Sequence, residues 1–287
     1  MLVIVGYIIV IISVFGGYML AGGHVVALFQ PVELLMIGGA GLGAFVISNS
    51  PKVLKATMAA LPSVLKGSKY TKARYMGLLS MMFAILTKIR KEGLVSIEKE
   101  IDKPEESALF TQYPEFLVDH HLIEFITDYL RLMVSGNLNA HEIADLMDGE
   151  MDAHHHEGMI PASAIQKVAD GLPAFGIVAA VMGVVHTMSS VGAAPAVLGG
   201  MIAAALVGTF LGILLAYGFV GPLASLLEQK LSEASKEFEC VKVTLLASLN
   251  GYAPALAVEF GRKVLFSTER PGFAELEDHV RQAKAKG

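Results

Sequence analysis

The sequence predicts an all-α integral membrane protein with four transmembrane helices in two hairpins, a helical cytoplasmic domain between the second and third helices, and a long cytoplasmic extension of the fourth. Three observations predict this fold class. The mean hydropathy is +0.57 and 54% of the residues are hydrophobic, although 17% are charged. The charges are segregated, because the 57 residues between Asp170 and Glu228 contain no Asp, Glu, Lys or Arg. No alternating strand pattern with hairpin turns is present.

The first hairpin is predicted within residues 1–50. Residues 1–32 contain no Asp, Glu, Lys or Arg, and residues 32–49 contain only Glu33. Because a bilayer core of about 30 Å needs roughly 20 apolar helical residues, we predict spans at about residues 2–21 and 32–49. The first span has no basic segment before it and is too long for the apolar part of a signal peptide, so we interpret it as a retained helix. Glu33 is expected at the outer membrane edge.

Residues 51–170 are predicted to form a helical cytoplasmic domain. Met76–Arg90 is mostly apolar but too short to cross a bilayer, so it is predicted to be a helix buried against other helices. Glu115–Val134 and Ala140–Ala153 have apolar spacings of three and four, which indicate two helices. Gly136-Asn137 separates them.

The second hairpin is predicted within residues 171–227, with spans at about 172–191 and 199–222 and a turn at Gly192–Leu198. Folding this segment between residues 197 and 198 places Pro173 opposite Pro222, and His186 opposite Thr209. The fourth helix is predicted to continue into a cytoplasmic C-terminal region, residues 228–287, as far as Asn250-Gly251. Two GxxxG pairs predict close helix packing in the spans: Gly39–Gly43 and Gly208–Gly212.

The distribution of Lys and Arg predicts the orientation. Of these 22 residues, 13 lie in residues 51–170 and nine in residues 228–287, and the two connecting turns contain none. Cytoplasmic flanks collect positive residues, so both regions and both termini are predicted in the cytoplasm. The net charge is -5 and no basic patch indicates nucleic acid. The single cysteine, Cys240, excludes an intrachain disulfide.

The predicted spans carry few groups able to handle an ion. Polar or ionisable residues inside a membrane are rare and commonly functional. The third and fourth spans offer no carboxylate and only six other polar side chains: His186, Thr187, Ser189, Ser190, Thr209 and Tyr217. Glu33 and Asp170 are expected at opposite edges, where neither suits a relay at the midplane. The chain therefore either moves no ions or lines a path whose carboxylate comes from another polypeptide.

Each candidate in the spans has a structural alternative. The Thr209 hydroxyl either contacts an ion or bonds back to its own helix, and His186 is either a proton relay or a packed neutral side chain. Pro173 either couples movement or only begins a helix. Pro222 lies within a continuing helix, where it removes a backbone hydrogen bond and is either a hinge or a static bend.

Two charged or histidine-rich stretches have ordinary interpretations. His154, His155 and His156 are consecutive, so on a helix they point about 100° apart and lack the i, i+4 spacing of a helical zinc motif. We interpret them as a solvated loop and predict no metal and no cofactor. Arg90 and Glu98 lie in the charged stretch from Lys88 to Glu106, which by spacing alone is a solvated surface.

Three sets of motifs give the sequence a specific resemblance. They are DGLPAFGIVAAVMGVVH from Asp170 to His186, VGTFLGILLAYGF from Val207 to Phe219, and LNGYAP with VEFGRK between Leu249 and Lys263. The sequence resembles the MotA family of bacterial flagellar stator subunits, within the MotA/TolQ/ExbB proton-channel superfamily and its proton-driven branch. The resemblance extends from Gly6-Tyr7 to Glu277.

The resemblance implies a function and its partners. It implies a pentamer of this chain around a MotB dimer, which supplies the channel aspartate, in the bacterial inner membrane. Proton flow then drives rotation and torque on the rotor protein FliG, without enzymatic catalysis or a cofactor.

The resemblance also implies that the domain of residues 51–170 contacts the rotor, and it implies roles for single residues. Pro173 and Pro222 couple ion binding to movement, Thr209 is the channel-facing hydroxyl, and Arg90 and Glu98 meet opposite charges on FliG. The remaining candidates along the ion path are Asp170, His186 and Tyr217.

Alternative functions remain at this stage. An ExbB- or TolQ-like energy-coupling subunit of an outer-membrane-directed complex is one, although such subunits usually have three spans. A membrane scaffold and a self-sufficient transporter are others, and the missing buried carboxylate disfavours the transporter.

Overall fold

The computed structural model describes residues 2–286, with side chains to residue 281, and contains no strand within that range. The predicted all-α class is confirmed. Eleven helices are named here in chain order: α1 (Leu2–Leu20), α2 (Pro31–Ser48), α3 (Pro51–Leu65), α4 (Lys72–Glu92), α5 (Glu98–Asp102), α6 (Pro114–Leu117), α7 (His120–Ser135), α8 (Ala140–Met188), α9 (Pro195–Leu249), α10 (Pro254–Val264) and α11 (Phe273–Lys286). Short 3-10 turns occur at Val25–Leu28, Leu94–Ile97 and Phe110–Gln112.

The chain divides into two compact units. The first contains Met1–Gly67 and Glu157–Gln229, and the second contains Ser68–His156 and Lys230–Gly287. Four helical stretches are long and apolar enough to cross a membrane, and they begin at Leu2, Val25, Ala140 and Pro195. This agrees with the four spans predicted from charge segregation.

The connection between α8 and α9 is shorter and earlier than predicted. α8 ends at Met188 and α9 begins at Pro195, so residues 189–194 form the turn instead of Gly192–Leu198. Ala194 is extended, and Pro195 occupies the first helical turn, where its fixed φ favours helix and its missing N–H is not needed. The proline therefore begins the helix four residues before the predicted start.

Small residues set the register between α8 and α9. A methyl group placed on Gly176 would lie 2.8 Å from the Gly208 carbonyl oxygen and 3.1 Å from Gly212 Cα. One placed on Gly183 would lie 2.6 Å from Ala205 Cβ. The pairing of 176 with 212 and of 183 with 205 centres the antiparallel register on residue 194.

This register makes the predicted pairing of Pro173 with Pro222, and of His186 with Thr209, wrong. Pro173 lies level with residue 215, so the two prolines are about seven residues, or roughly 10 Å, apart along the helices. Thr209 lies level with residue 179, also about seven residues from His186. The cause is the earlier turn together with the glycine contacts, which charge patterns do not reveal.

The two predicted GxxxG pairs behave differently. Gly208 and Gly212 both pack against the α8 backbone. Methyl groups placed on Gly39 and Gly43 would meet nothing within 4 Å among the described residues, whereas one on Gly41 would lie 3.2 Å from the Leu172 side chain. Within this chain, α2 therefore packs against α8 through Gly41, which lies between the two glycines of the motif.

α3 belongs to the first unit, although residues 51–170 were predicted as one cytoplasmic region. Ser50 caps α3 by accepting a hydrogen bond from the Val53 N–H. Val64 forms a small core with buried side chains of the same unit, namely Ala162, Ile165, Ala224 and Leu227. This packing groups residues 51–67 and 157–170 with the apolar helices.

The second unit has a large hydrophobic core. α4 covers the predicted Met76–Arg90 helix and buries nine residues, which confirms that this segment is an interior helix. α6 and α7 replace the predicted single helix at Glu115–Val134, and Gly136, with φ +67°, ends α7 in the left-handed conformation. An ionic network lies in the same unit, where Arg74 stacks on Phe116 and pairs with both Glu237 and Asp119.

The three consecutive histidines lie in helix α8, so their interpretation as a loop was wrong. The His154 ring packs against Phe238 with 4.7 Å between centroids, and His155 Nδ1 lies 3.2 Å from Ser235 Oγ. His156 Nδ1 contacts the Asp152 carbonyl oxygen at 2.7 Å. The α-helical period disperses the three rings over different neighbours, and no group of three or more metal-ligating side chains occurs among the described residues.

Candidate functional site

Pro222 lies inside α9 immediately after a wide, π-helical segment, Leu214–Val220. Proline has no N–H, and its ring clashes with the carbonyl four residues earlier, here that of Gly218. The helix continues by changing register: the Gly221 N–H donates to the Ala216 carbonyl, five residues back. The structure therefore places Pro222 in a continuing helix, as predicted, and adds a π-helical segment before it. Such segments are uncommon and frequently occur at functional sites.

Pro173 lies in the interior of α8, not at a helix start, so that structural alternative is wrong. Its missing N–H leaves the carbonyl of Ala169 without the usual partner from position 173. The Ala169 Cβ lies 3.9 Å from a methyl group placed on Gly221, the residue before Pro222. The two prolines do not face each other, but the turns that they weaken are neighbours.

Thr209 is partly buried on α9, one residue after a contact with a carboxyl group. A methyl group on Gly208 would lie 3.0 Å from Glu33 Oε2, so Glu33 contacts α9 at Gly208. Thr209 Oγ1 makes no hydrogen bond within residues 2–286, whereas Thr187 Oγ1 donates to the Gly183 carbonyl at 2.9 Å. The structure therefore does not support the alternative in which Thr209 bonds back to its own helix.

Glu33 is deeper than predicted. It is 8% exposed, and its Oε2 has no hydrogen-bond partner among the described residues. Gly208 lies 13 residues after the start of α9, about 20 Å along the helix, so Glu33 is not at the outer edge of this packing. The 3-10 turn Val25–Leu28 packs beside α9 and begins α2 at that level. The apolar first unit thus contains a buried carboxyl, and burying such a group charged and unpaired is costly.

Tyr217 and Asp170 lie near Pro222, whereas His186 lies far along α8. Tyr217 is 69% exposed and lines a groove of about 510 Å³ with Gln166 and Pro222. Gln166 Nε2 donates a hydrogen bond of 2.7 Å to Asp170 Oδ1. Asp170 is thus linked through Gln166 to the groove that Tyr217 and Pro222 line. His186, exposed near the opposite end of α8, does not join them.

Arg90 and Glu98 are both exposed in the second unit, and neither forms an ion pair within residues 2–286. Arg90 is near the end of α4 and donates a hydrogen bond of 3.3 Å to the carbonyl of Gly251, a residue with φ +84°. Glu98 begins α5. Both charges are therefore free to meet a partner.

An ion pair joins the elements that carry these two charges. Lys88 Nζ on α4 lies 2.6 Å from Glu100 Oε1 on α5, and the Ser107 hydroxyl also donates to Glu100. The hydrogen bonds from Lys88 and Ser107 hold the pKa of Glu100 below its ordinary value. The pair lies two residues from Arg90 and from Glu98, so it fixes the surface that presents them.

The VEFGRK motif, residues 258–263, has a structural role in the second unit. A methyl group on Gly261 would lie 2.1 Å from Thr244 Oγ1 and 2.9 Å from the Cys240 carbonyl oxygen, so α10 packs directly on α9 within the second unit. Arg262 forms a bidentate pair with Glu259 and donates to the Pro271 carbonyl at 2.9 Å. This part of the motif anchors the C-terminal segment.

Comparisons with known proteins identify the family of this chain. Residues 4–93 match the family model described as motility protein A N-terminal, and residues 118–240 match the MotA/TolQ/ExbB proton channel family. Motility protein A of Salmonella typhimurium is 55% identical over 284 residues, which cover 99% of this chain and 96% of that protein. The chain belongs to the motility protein A family.

Structures of the motility protein A family have the same fold. The structure of C. jejuni MotAB superposes with a TM-score of 0.77 at 19% identity, covering 94% of this chain and 98% of that one. The flagellar MotAB stator complex from Bacillus subtilis gives a TM-score of 0.72 at 25% identity, covering 89% and 92%. Together with the four apolar helices, family membership makes the chain a multi-pass inner-membrane protein.

For this motility protein A family member, sequence reasoning missed three features of the site. It placed Glu33 at an edge, did not anticipate the π-helical segment, and gave no role to Lys88 and Glu100. The signal for Glu33 was present, because it is the only charged residue in the first 50. The other two features depend on tertiary contacts and had no clear sequence signal.

Proposed function

We propose that this chain is the A subunit of a proton-driven flagellar stator, which converts ion flow into torque together with a MotB-type partner. The observation that carries the proposal is 55% identity to a motility protein A over nearly the whole of both chains. The relatives are motor and channel proteins, and the proposal includes no enzymatic activity. An ExbB- or TolQ-like function is not favoured, since this chain has four apolar helices instead of three.

The proposed assembly is a pentamer around a MotB dimer, in which the partner supplies the channel aspartate. Two hairpins cross the inner membrane, residues 1–50 and 171–227, with both termini in the cytoplasm. The regions 51–170 and 228–287 lie mostly on the cytoplasmic side, because their many Lys and Arg residues favour that orientation. The absence of a carboxylate from the third and fourth spans supports a partner-supplied proton site.

The proposed ion path follows α9. The Thr209 hydroxyl, which makes no hydrogen bond within residues 2–286, is available to an ion or water at the partner's carboxylate. The buried Glu33 contacts the preceding residue, Gly208, and its burial without a partner favours the uncharged form, because an unpaired charge there is costly. His186 is seven residues away in register and has a lesser role in this path, as does Asp170.

Movement is proposed to arise at the two neighbouring turns weakened by Pro173 and Pro222. Each turn lacks a backbone hydrogen bond, so it changes shape at lower cost than the rest of its helix. Tyr217 lies within the segment before Pro222, and its exposed ring is available for contact with a neighbouring chain of the proposed assembly. Protonation of the partner is thereby coupled to a change in α9, which continues without interruption to Leu249.

Arg90 and Glu98 are proposed to transmit the force to FliG through opposite charges. Exposed ion pairs are individually weak and screened by salt. Such contacts suit a surface that must bind and release in each step. The Lys88–Glu100 pair keeps the two charges in a fixed arrangement.

A flux measurement tests the proposal. The chain is purified alone and as a complex with its MotB-type partner, and each preparation is placed in liposomes with an imposed proton gradient. We expect flux only with the complex and its loss when the partner's channel aspartate is replaced by asparagine. Robust proton flux through the chain alone would overturn the proposal and favour a self-sufficient transporter.

A further inference from the structure

Helix α1 follows the π-helical segment of α9 along its length. Val10 Cγ1 lies 3.2 Å from a methyl group placed on Gly218, and the rings of Phe15 and Phe210 meet edge to face with 6.2 Å between centroids. The partly buried positions Val3, Tyr7, Val10 and Val14 are spaced by four, three and four residues, so they form one face. α1 thus presents a single contact stripe to α9.

Tyr7 is the polar member of this stripe. Its hydroxyl donates a hydrogen bond of 2.9 Å to the carbonyl of Phe219, inside the π-helical segment. Its ring also packs on the Phe219 ring with 5.0 Å between centroids. Proline and glycine are tolerated in membrane helices partly because side chains of neighbouring helices satisfy the backbone groups that they free. The Tyr7 hydroxyl donates to the Phe219 carbonyl, three residues before Pro222 and next to the Gly218 carbonyl that the proline leaves unpaired.

A second wide turn lies in the same pair of helices. α1 contains a π-helical segment at Ile12–Gly16, and its Phe15 packs against Phe210 of α9. π-Helices account for well under 1% of residues in ordinary proteins. Both π-helical segments found within residues 2–286 therefore belong to one helix pair, which indicates that the altered backbone register is a feature of this contact.

The structure also leaves space beside the hydrogen bond. A groove of about 280 Å³ lies between α1 and α9, lined in part by Gly6, Tyr7, Tyr217, Gly218 and Pro222. Well-packed helix interfaces contain few voids larger than a water molecule. The turn before Pro222 consequently has room to rearrange beside the hydrogen bond that the Tyr7 hydroxyl donates to it.

We propose that Tyr7 is a positioning residue for the conformational step at Pro222. Its hydroxyl stabilises the wide turn at Phe219, and α9 changes register there only after this hydrogen bond breaks. The role in torque generation rests on the proposed stator function, whereas the effect on the turn does not. Removal of the hydroxyl shifts the equilibrium between the wide and the relaxed turn about fivefold, the equivalent of about 1 kcal/mol.

The test compares two tyrosines of α1. Tyr7→Phe removes the hydroxyl and retains the ring, and Tyr18→Phe is the matched control because the Tyr18 hydroxyl makes no hydrogen bond within residues 2–286. Each variant is purified as the full complex in nanodiscs. Amide hydrogen exchange is then measured by mass spectrometry for residues 214–226 and, as an internal reference, for residues 72–92 in the second unit.

We expect Tyr7→Phe to accelerate exchange about fivefold in residues 214–226 and to leave residues 72–92 unchanged, with no change in either peptide for Tyr18→Phe. Unchanged exchange in Tyr7→Phe would overturn the proposal. Equal acceleration in both variants, or in both peptides, would overturn it as well, because either result indicates general destabilisation.

Single-motor torque at high load connects the turn to movement. With equal numbers of stators bound, Tyr7→Phe is expected to lower the torque per stator, while Tyr18→Phe matches the unmodified chain. Equal torque in all three would remove the motor role of Tyr7. Failure of the unmodified chain to drive rotation would instead contradict the proposed stator function, and the exchange measurement would still test the turn.

Discussion

Replacement of Gly176 by alanine tests the helix register in the first unit. The new methyl group would lie 2.8 Å from the Gly208 carbonyl oxygen and 3.1 Å from Gly212 Cα, and both of these are backbone atoms. Carbon–oxygen contacts between packed helices are normally about 3.3–3.6 Å. α8 and α9 must therefore separate by roughly 0.5–0.8 Å, because no flexible side chain can move aside.

The expected cost follows from this overlap. Overpacking of a close contact destabilises by about 1–3 kcal/mol, and the better helix propensity of alanine offsets up to about 1 kcal/mol. We expect Gly176→Ala to destabilise the complex by about 1–2 kcal/mol, within those two ranges. Gly200→Ala on α9 is the matched control, since a methyl group there would meet nothing within 4 Å.

The assay is thermal unfolding of the purified complex in the same detergent for both variants. A lower midpoint is expected for Gly176→Ala and an unchanged or higher midpoint for Gly200→Ala. The double variant of Gly176 and Gly212 should cost less than the sum of the single changes, because both methyl groups widen the same contact. Identical midpoints for Gly176→Ala and Gly200→Ala would refute the register centred on residue 194.

Four further predictions concern the sites. Pro222→Ala restores a backbone donor, so it should lower torque by at least tenfold while membrane insertion stays normal; loss of the protein from the membrane would contradict a specific role. Glu33→Gln should fold and insert normally because it preserves a neutral side chain, and equal proton flux in the variant complex would show that Glu33 is not in the path. Charge reversal at Arg90 or Glu98 should reduce swimming and be partly rescued by a reversed rotor charge, and unchanged swimming in every combination would exclude these contacts. Glu100→Gln should remove an acid-sensitive part of the folding stability. The pKa of Glu100 is lower in the folded than in the unfolded chain, so the ionised carboxylate stabilises the fold fully above the ordinary pKa of 4.5. This stabilisation is lost as the pH falls through the lower folded-state pKa. Unfolding midpoints compared at pH 7 and below pH 4.5 should converge for the two proteins at acid pH, and an equal difference at all pH values would contradict this.

The fold class followed from the sequence because charge segregation is a direct consequence of bilayer solvation. The 57 residues without charge between Asp170 and Glu228 require apolar surroundings, whatever the details of packing. The interior helix α4 was predictable for a similar reason, since its apolar run is long enough to be buried but too short to span.

The register and the depth of Glu33 could not be predicted in this way. Hydropathy does not distinguish the true turn at residues 189–194 from the predicted one, because both neighbouring segments are apolar. Contacts of Gly176 and Gly183 decide the register, and these depend on the opposing helix. Glu33 seemed to be at an edge because it lies near the start of α2, but there it contacts Gly208, about 20 Å along α9 from its first residue.

Backbone detail at Pro222 was predictable only in part. The missing N–H is a property of proline and was available from the sequence. Whether the helix kinks, breaks or widens depends on neighbouring groups, and here the Tyr7 hydroxyl and the contact with Val10 accompany the wide turn. Family resemblance supplied the candidate roles of Thr209, Arg90 and Glu98, which spacing alone did not support.

The most direct test of the stator proposal is swimming in a bacterial strain that lacks its own stator A subunit. The strain receives this chain together with the MotB-type partner, either intact or with the channel aspartate replaced by asparagine. The account predicts swimming only when both the chain and the intact aspartate are present. Stable expression of both proteins in the membrane without swimming would contradict it and favour an ExbB- or TolQ-like role, and swimming with the altered partner would contradict a proton site supplied by that partner.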